Sequence, residues 1–210
     1  MKVAYFAESP ADQTALTILT ESILGQATDL VIHSGLRHRG WPAVKGVLPA
    51  VLKQLHWHSE AEGFVFVVDS NSSSPHLSDH EQEGNRSAKC RLCQVRDIAE
   101  QVMQEIRPRQ NLPPLKIALG VAVPTIEAWL LCGVDPHVTE AAWINGMKEG
   151  RVPFLKQSLK EKLYGTSHPP LSAETDAMSK AARRLASDIA SIEKLFPLGF
   201  GALARDLKGW

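Results

Sequence analysis

The stretch Gly63-Phe-Val-Phe-Val-Val-Asp69, running on into Ser70-Asn71, decides the fold class. Phe64 to Val68 is apolar on both of its alternating faces, the pattern of a strand buried on both sides of a parallel sheet. Gly63 breaks the preceding segment, and an acid closes the run. The same pattern recurs at Lys2 to Ala7 and at Lys116 to Val123, with a further strand at Asp29 to Ser34 around Leu30-Val31-Ile32.

Helical periodicity fills the spaces between these strands. Ser9-Pro10-Ala11-Asp12 reads as a helix start, with Ser as N-cap, Pro at the first helical position and Asp three residues on. Leu16, Leu19 and Ile23 carry that helix to a C-cap at Gly25. Val44, Val47, Leu48, Val51, Leu52 and Leu55 form a second amphipathic helix, which Pro49 either kinks or starts later. A polar loop to about Asn85 precedes a third helix, from about Arg86 to Ile106. The last strand ends in Pro124-Thr125-Ile126-Glu127, where Thr125 is the expected cap of a helix running to Gly133. Strand and helix thus alternate four times. That alternation predicts an α/β fold: a mainly parallel sheet, Rossmann-like in topology, with helices on both faces. From Pro136 the strand patterns stop, and 137–149, 153–164, 172–196 and 199–207 read as helices. The expected organisation is an α/β domain over 1–135 and a helical C-terminal extension over 136–210 packed on it.

The chain has 210 residues, enough for a full core, and its 44% hydrophobic and 22% charged residues are typical of folded globular proteins. Lys and Arg number 23 and so do Asp and Glu, which excludes a protein that coats nucleic acid by bulk charge. Any polyanion site must be local. Apolar runs are strand-sized, so no membrane span is expected, and the first one ends at Glu8, too early for a secretory signal. Cys90, Cys93 and Cys132 are an odd set, which suggests reduced thiols in a cytoplasm.

In an open parallel sheet, ligands bind beyond the carboxyl ends of the strands, where Glu8, Asp69 and Glu127 all fall. Acids converging there repel one another unless a cation sits among them, and their oxygens suit Mg²⁺ or Mn²⁺. Arg37-His38-Arg39 and Lys45 follow the second strand on the same edge, where they suit phosphate oxygens. Taken singly, each acid could equally be a helix cap and each basic residue a solvated loop position.

Glu8 with Asp12, Asp69 with Asn71, and Val-Pro-Thr-Ile-Glu-Ala-Trp-Leu-Leu over 123–131 together resemble the topoisomerase-primase (TOPRIM) fold. The likeness is closest to stand-alone TOPRIM-like proteins related to OLD-family nucleases, often linked to phage defence. It covers about residues 2–133, and Phe196-Pro-Leu-Gly-Phe200 extends it loosely into the tail. The resemblance implies a Mg²⁺-dependent nuclease cleaving phosphodiester bonds. Glu8 would be the general acid or base, with Asp69, Asn71 and Glu127 completing the metal set. Asp12, Arg37, Arg39 and Lys45 would face the substrate. The implied partners are nucleic acid, DNA ahead of RNA, an ATPase protein and a second copy of the chain. The chain departs from the family with Ser9 in place of a Gly, and with Asn71, which brings no charge, in place of an Asp. Asp79, Glu81 and Glu83 are the nearby acids available to compensate. A non-catalytic TOPRIM-like partner of an ATPase or nucleotide is the rival reading. A receiver domain phosphorylated at Asp69 is the third, although Ser9 and Pro124 stand where it wants an acid and a Lys.

His76, His80, Cys90 and Cys93 have a spacing compatible with zinc, H-x₃-H followed by C-x₂-C. Cys90 and Cys93, however, share a predicted helix with Leu92 and Val95, so ordinary helix cysteines are favoured. Trp129 is expected in the core. Trp41 and Trp57 are expected as partly buried surface aromatics rather than base-stacking platforms.

Overall fold

The computed structural model describes residues 1–32, 40–109 and 112–210. Among these residues four strands, β1 (Lys2–Phe6), β2 (Asp29–Val31), β3 (Gly63–Asp69) and β4 (Lys116–Ala122), pair in the order β2-β1-β3-β4, every pairing parallel. The register aligns Val3 with Gly63 and Gly63 with Lys116, so the long strands β3 and β4 run together to Asp69 and Ala122. Helices α1 (Pro10–Leu24), α2 (Trp41–His58) and α3 (Arg91–Glu105) link the strands in turn.

Each buried strand serves two cores, as its unbroken apolar run requires. Val3, Tyr5, Val65, Val67 and Ala118 face α1 and the C-terminal helices, whereas Ala4, Phe6, Phe64, Phe66 and Leu119 face α2 and α3. Helices therefore cover both faces of a parallel sheet, as the alternation predicts. Beyond β4 come α4 (Ile126–Leu130), α5 (Glu140–Lys148), α6 (Lys156–Tyr164), α7 (Leu171–Ala186), α8 (Ile189–Leu195) and α9 (Phe200–Lys208). The C-terminal helices complete the first core: Met178, Leu185, Ile192, Phe196 and Phe200 are buried with Leu16 and Leu19 of α1. Trp129 is fully buried, its ring edge-on to Phe200 at 5.2 Å.

Two close contacts seat α9 on the sheet. A Cβ at Gly199 would stand 2.2 Å from the Val121 carbonyl oxygen, so only glycine permits this approach. Asp206 then accepts the outward N–H of Leu119 at 2.9 Å, satisfying a group that the last strand would otherwise leave bare.

Several element ends differ from the sequence expectation. Ser9 and Asp12 do form a capping box and Pro10 opens α1, with Gly25 left-handed at φ 66°. Pro49 lies inside α2 without ending it, while Pro42 sits in its first turn. The single helix expected over 172–196 is two, because Asp188 caps α8 by accepting the Ser191 N–H at 3.2 Å. α3 begins at Arg91 rather than Arg86, with Cys90 as its N-cap. No helix among the described residues is long and apolar enough to cross a membrane.

Candidate functional site

The strand order places a reversal between β1 and β3: the chain leaves β1 for β2 on one side, then returns across it to β3. Such a switch point opens a crevice at the carboxyl edge. Glu8 follows β1, Asp12 lies in the first turn of α1, Asp69 ends β3 and Glu127 lies in α4. Main-chain bonds lock the last two together: Ser70 N–H donates to Ala122 O at 2.7 Å, and Asn71 N–H to Pro124 O at 2.9 Å. Asp69 Oδ1 accepts the Ile126 N–H at 3.1 Å. Asp69 therefore does the capping expected of Thr125, whose own hydroxyl is buried without a partner.

Electrostatics join these acids into one unit. Burial, then the neighbouring charges of Asp69 and Glu127, push the Asp12 carboxyl up to about 8, although Ser9 N–H donates to it at 2.9 Å. Burial likewise pushes Asp69 up to about 7; Lys156 opposes the rise, while Glu8 and Glu127 add to it. Glu127 is buried, and Glu8 is exposed at the rim.

The answering cations come from α6, which the sequence reading left without a role. Lys156 Nζ lies 2.9 Å from Asp69 Oδ2, and Lys160 Nζ lies 3.6 Å from Glu127 Oε1 and 3.9 Å from Glu174 of α7. Tyr164 donates its hydroxyl to Glu127 Oε1 at 3.3 Å. Burial, Glu127 and Glu174 drive that phenol well above its usual range. Burial works against the charge on Lys156, but Asp69, Glu127 and Glu8 outweigh it and hold its pKa above the ordinary value. Lys156, Lys160 and Tyr164 recur every fourth residue, one face of a helix, and that spacing is the only signal the sequence offers. Arg91 completes the rim, donating to the Asp69 main-chain oxygen at 2.5 Å with its guanidinium 5.0 Å from the centre of the Trp41 ring.

The remaining expected residues fall elsewhere. Asn71 sits in the left-handed region at φ 49°, a conformation Asn tolerates, and its N–H ties β3 to β4. Lys45 is exposed on α2 and donates to Gln94 of α3 at 3.0 Å. Arg37 and Arg39 lie outside the described residues. Of the three loop acids, Glu81 is committed to His76, Arg96 and Arg205.

The acids are hard oxygen donors suited to Mg²⁺ or Mn²⁺. Among the described residues, one group of three or more His, Cys, Asp or Glu side chains brings its ligand atoms together, within 4.8 Å of one another, and it is His76, His80, Cys90 and Cys93. A Mg²⁺ at the strand ends would therefore rest on one or two carboxylates and its own waters, the usual arrangement for that ion. Trp57 is half-exposed and Trp41 partly buried beneath Arg91. Comparison of the chain with protein-family models, with curated proteins and with solved structures gives no match.

Proposed function

We propose that the carboxyl edge is a site for Mg²⁺-assisted cleavage of phosphodiester bonds in nucleic acid, TOPRIM-like in plan. One observation carries this reading: Asp12, Asp69 and Glu127 converge at the switch point and meet Lys156 and Lys160 there. Carboxylates buried this closely together are costly to assemble, and the two ammonium groups meet them from the more exposed side. Carboxylates that take a cation, beside ammonium groups that take an anion, fit a metal and a phosphate bound together.

The roles follow from position. Asp69 and Glu127 would hold Mg²⁺, which when bound neutralises phosphate charge. Lys160, Lys156 and Arg91 bind and orient the phosphate oxygens. Hydrolysis needs one proton taken from the attacking water and one given to the leaving oxygen. Glu8, exposed at the rim, receives the first. Asp12, with its carboxyl pushed up to about 8, still carries a proton at neutral pH and supplies the second.

Calorimetric titration with Mn²⁺, run beside Asp69→Asn, tests the metal; incubation of labelled DNA and RNA with Mg²⁺ tests the chemistry. Saturable binding lost in the variant, with cleavage lost in Glu8→Gln and Asp12→Asn, is expected. A wild-type chain that neither binds Mn²⁺ nor cleaves would refute the proposal. The ion pairs of Lys156 with Asp69 and Lys160 with Glu127 favour a second reading, because they neutralise the acids without a metal. On that reading the edge binds a nucleotide without cutting it, as a partner of an ATPase would, and saturable nucleotide binding without turnover identifies it.

A further inference from the structure

We propose that His76, His80, Cys90 and Cys93 form a closed, tetrahedral zinc site that pins the loop after β3 to the start of α3. His76 lies in the loop after β3, His80 in the short helical turn Ser78–Glu81, and Cys90 and Cys93 at the start of α3, yet their ligand atoms lie within 4.8 Å of one another. His76 Nδ1 stands 3.3 Å from Cys90 Sγ and 3.6 Å from Cys93 Sγ. Zinc bonds of about 2.3 Å to sulfur and about 2.0 Å to nitrogen give a tetrahedral N···S edge of about 3.5 Å, between those two distances. Cys90, Cys93 and His76 are almost fully buried, and all three thiols of the chain are free.

The surroundings also suit a metal rather than two ordinary helix cysteines. Cys90 is the N-cap of α3 and Cys93 lies in its first turn, so both sulfurs stand at one helix end within reach of the His76 ring. His76 turns its second nitrogen, Nε2, to Glu81 Oε1 at 2.8 Å, the carboxylate–histidine relay that fixes a zinc-bound imidazole. Arg96 holds Glu81 in turn, at 2.8 Å. His80 Nδ1 accepts the Leu77 N–H at 3.3 Å, so that nitrogen carries the ring's lone pair, and binding zinc through it exchanges this long bond for the metal. Four protein ligands leave no open position, so the metal is structural. Its reach is functional, because Cys90 directly precedes Arg91, which bonds the Asp69 main chain.

The test uses the full chain purified under reducing conditions without added chelator. Elemental analysis is expected to find about one zinc per chain. Replacement by Co²⁺ should give cobalt–thiolate charge transfer and the intense visible bands of a tetrahedral ion. Cys93→Ser should lose both; Cys132→Ser should keep both. Cys93→Ser removes a core group and can fail to fold, so Glu81→Gln provides the second variant. It should stay folded and bind zinc about 10–100-fold more weakly in a chelator competition. Wild-type protein without stoichiometric zinc, a Cys90–Cys93 disulfide in its place, or six-coordinate cobalt spectra would each overturn the proposal. Zinc content is independent of nuclease activity, so this site and the carboxyl-edge reading can fail separately.

Discussion

Asp12→Asn should make the protein more stable, and increasingly so as the pH rises. The wild-type carboxyl sits at about 8 in the folded chain against an ordinary 3.8, so the folded state holds a proton that the unfolded state has lost. Stability present at low pH is therefore lost as the pH climbs from about 4 to about 8. Each pH unit in that window removes up to about 1.4 kcal/mol, so up to about 4 kcal/mol disappears between about pH 5 and about pH 8. Asn has nothing to ionise, and its Oδ1 can still accept the Ser9 N–H that closes the capping box, so the helix start survives. Urea unfolding of both proteins at the two pH values measures the difference directly. The variant's advantage should grow by about 1–4 kcal/mol from the lower to the higher pH. Added Mg²⁺ should shrink it at the higher pH, because a cation held by Asp69 and Glu127 also favours the ionised Asp12 beside them, which only the wild type has. A variant whose advantage is flat with pH, or shrinks, refutes the electrostatic account of the crevice.

Gly199→Ala should destabilise by about 1–3 kcal/mol, read as a lower urea midpoint at unchanged slope, since its Cβ would meet the Val121 carbonyl oxygen at 2.2 Å. Arg109 donates to the carbonyls of Leu55, His56 and Ala61 at 2.5, 2.5 and 2.7 Å, closing the end of α2. Arg109→Ala should cost about 1–3 kcal/mol and speed amide exchange in the last turn of α2, with Arg109→Lys a poor rescue because a single ammonium cannot span three acceptors.

What the sequence made legible was short-range. The run Phe64 to Val68 and the box at Ser9 and Asp12 announce themselves because the signal and the structure lie within the same few residues. Asp69 and Glu127 could be placed on one edge by topology alone. Lys156 and Lys160 could not, since a helical face in sequence does not say which part of the sheet it meets. Asp188 ends one helix and caps the next within an otherwise continuous apolar stripe, which periodicity cannot divide. Cys90 was misread for a related reason: Leu92 and Val95 extend a helical pattern backwards through it, whereas it stands at the N-cap and turns toward His76 across the loop. Asn71 stands where the resemblance calls for a metal acid, and a left-handed turn suffices to account for an Asn there.

The bond from Leu119 to Asp206 also bears on how the chain is made. In synthesis order the four strands are complete at Ala122, but the carboxylate that covers the outer edge of β4 arrives only with α9. Through that interval the nascent sheet presents an open, apolar strand to any neighbouring chain. The final helix thus acts as a latch against self-association, and chains cut short before Phe200 should be recovered as aggregates rather than as folded monomers.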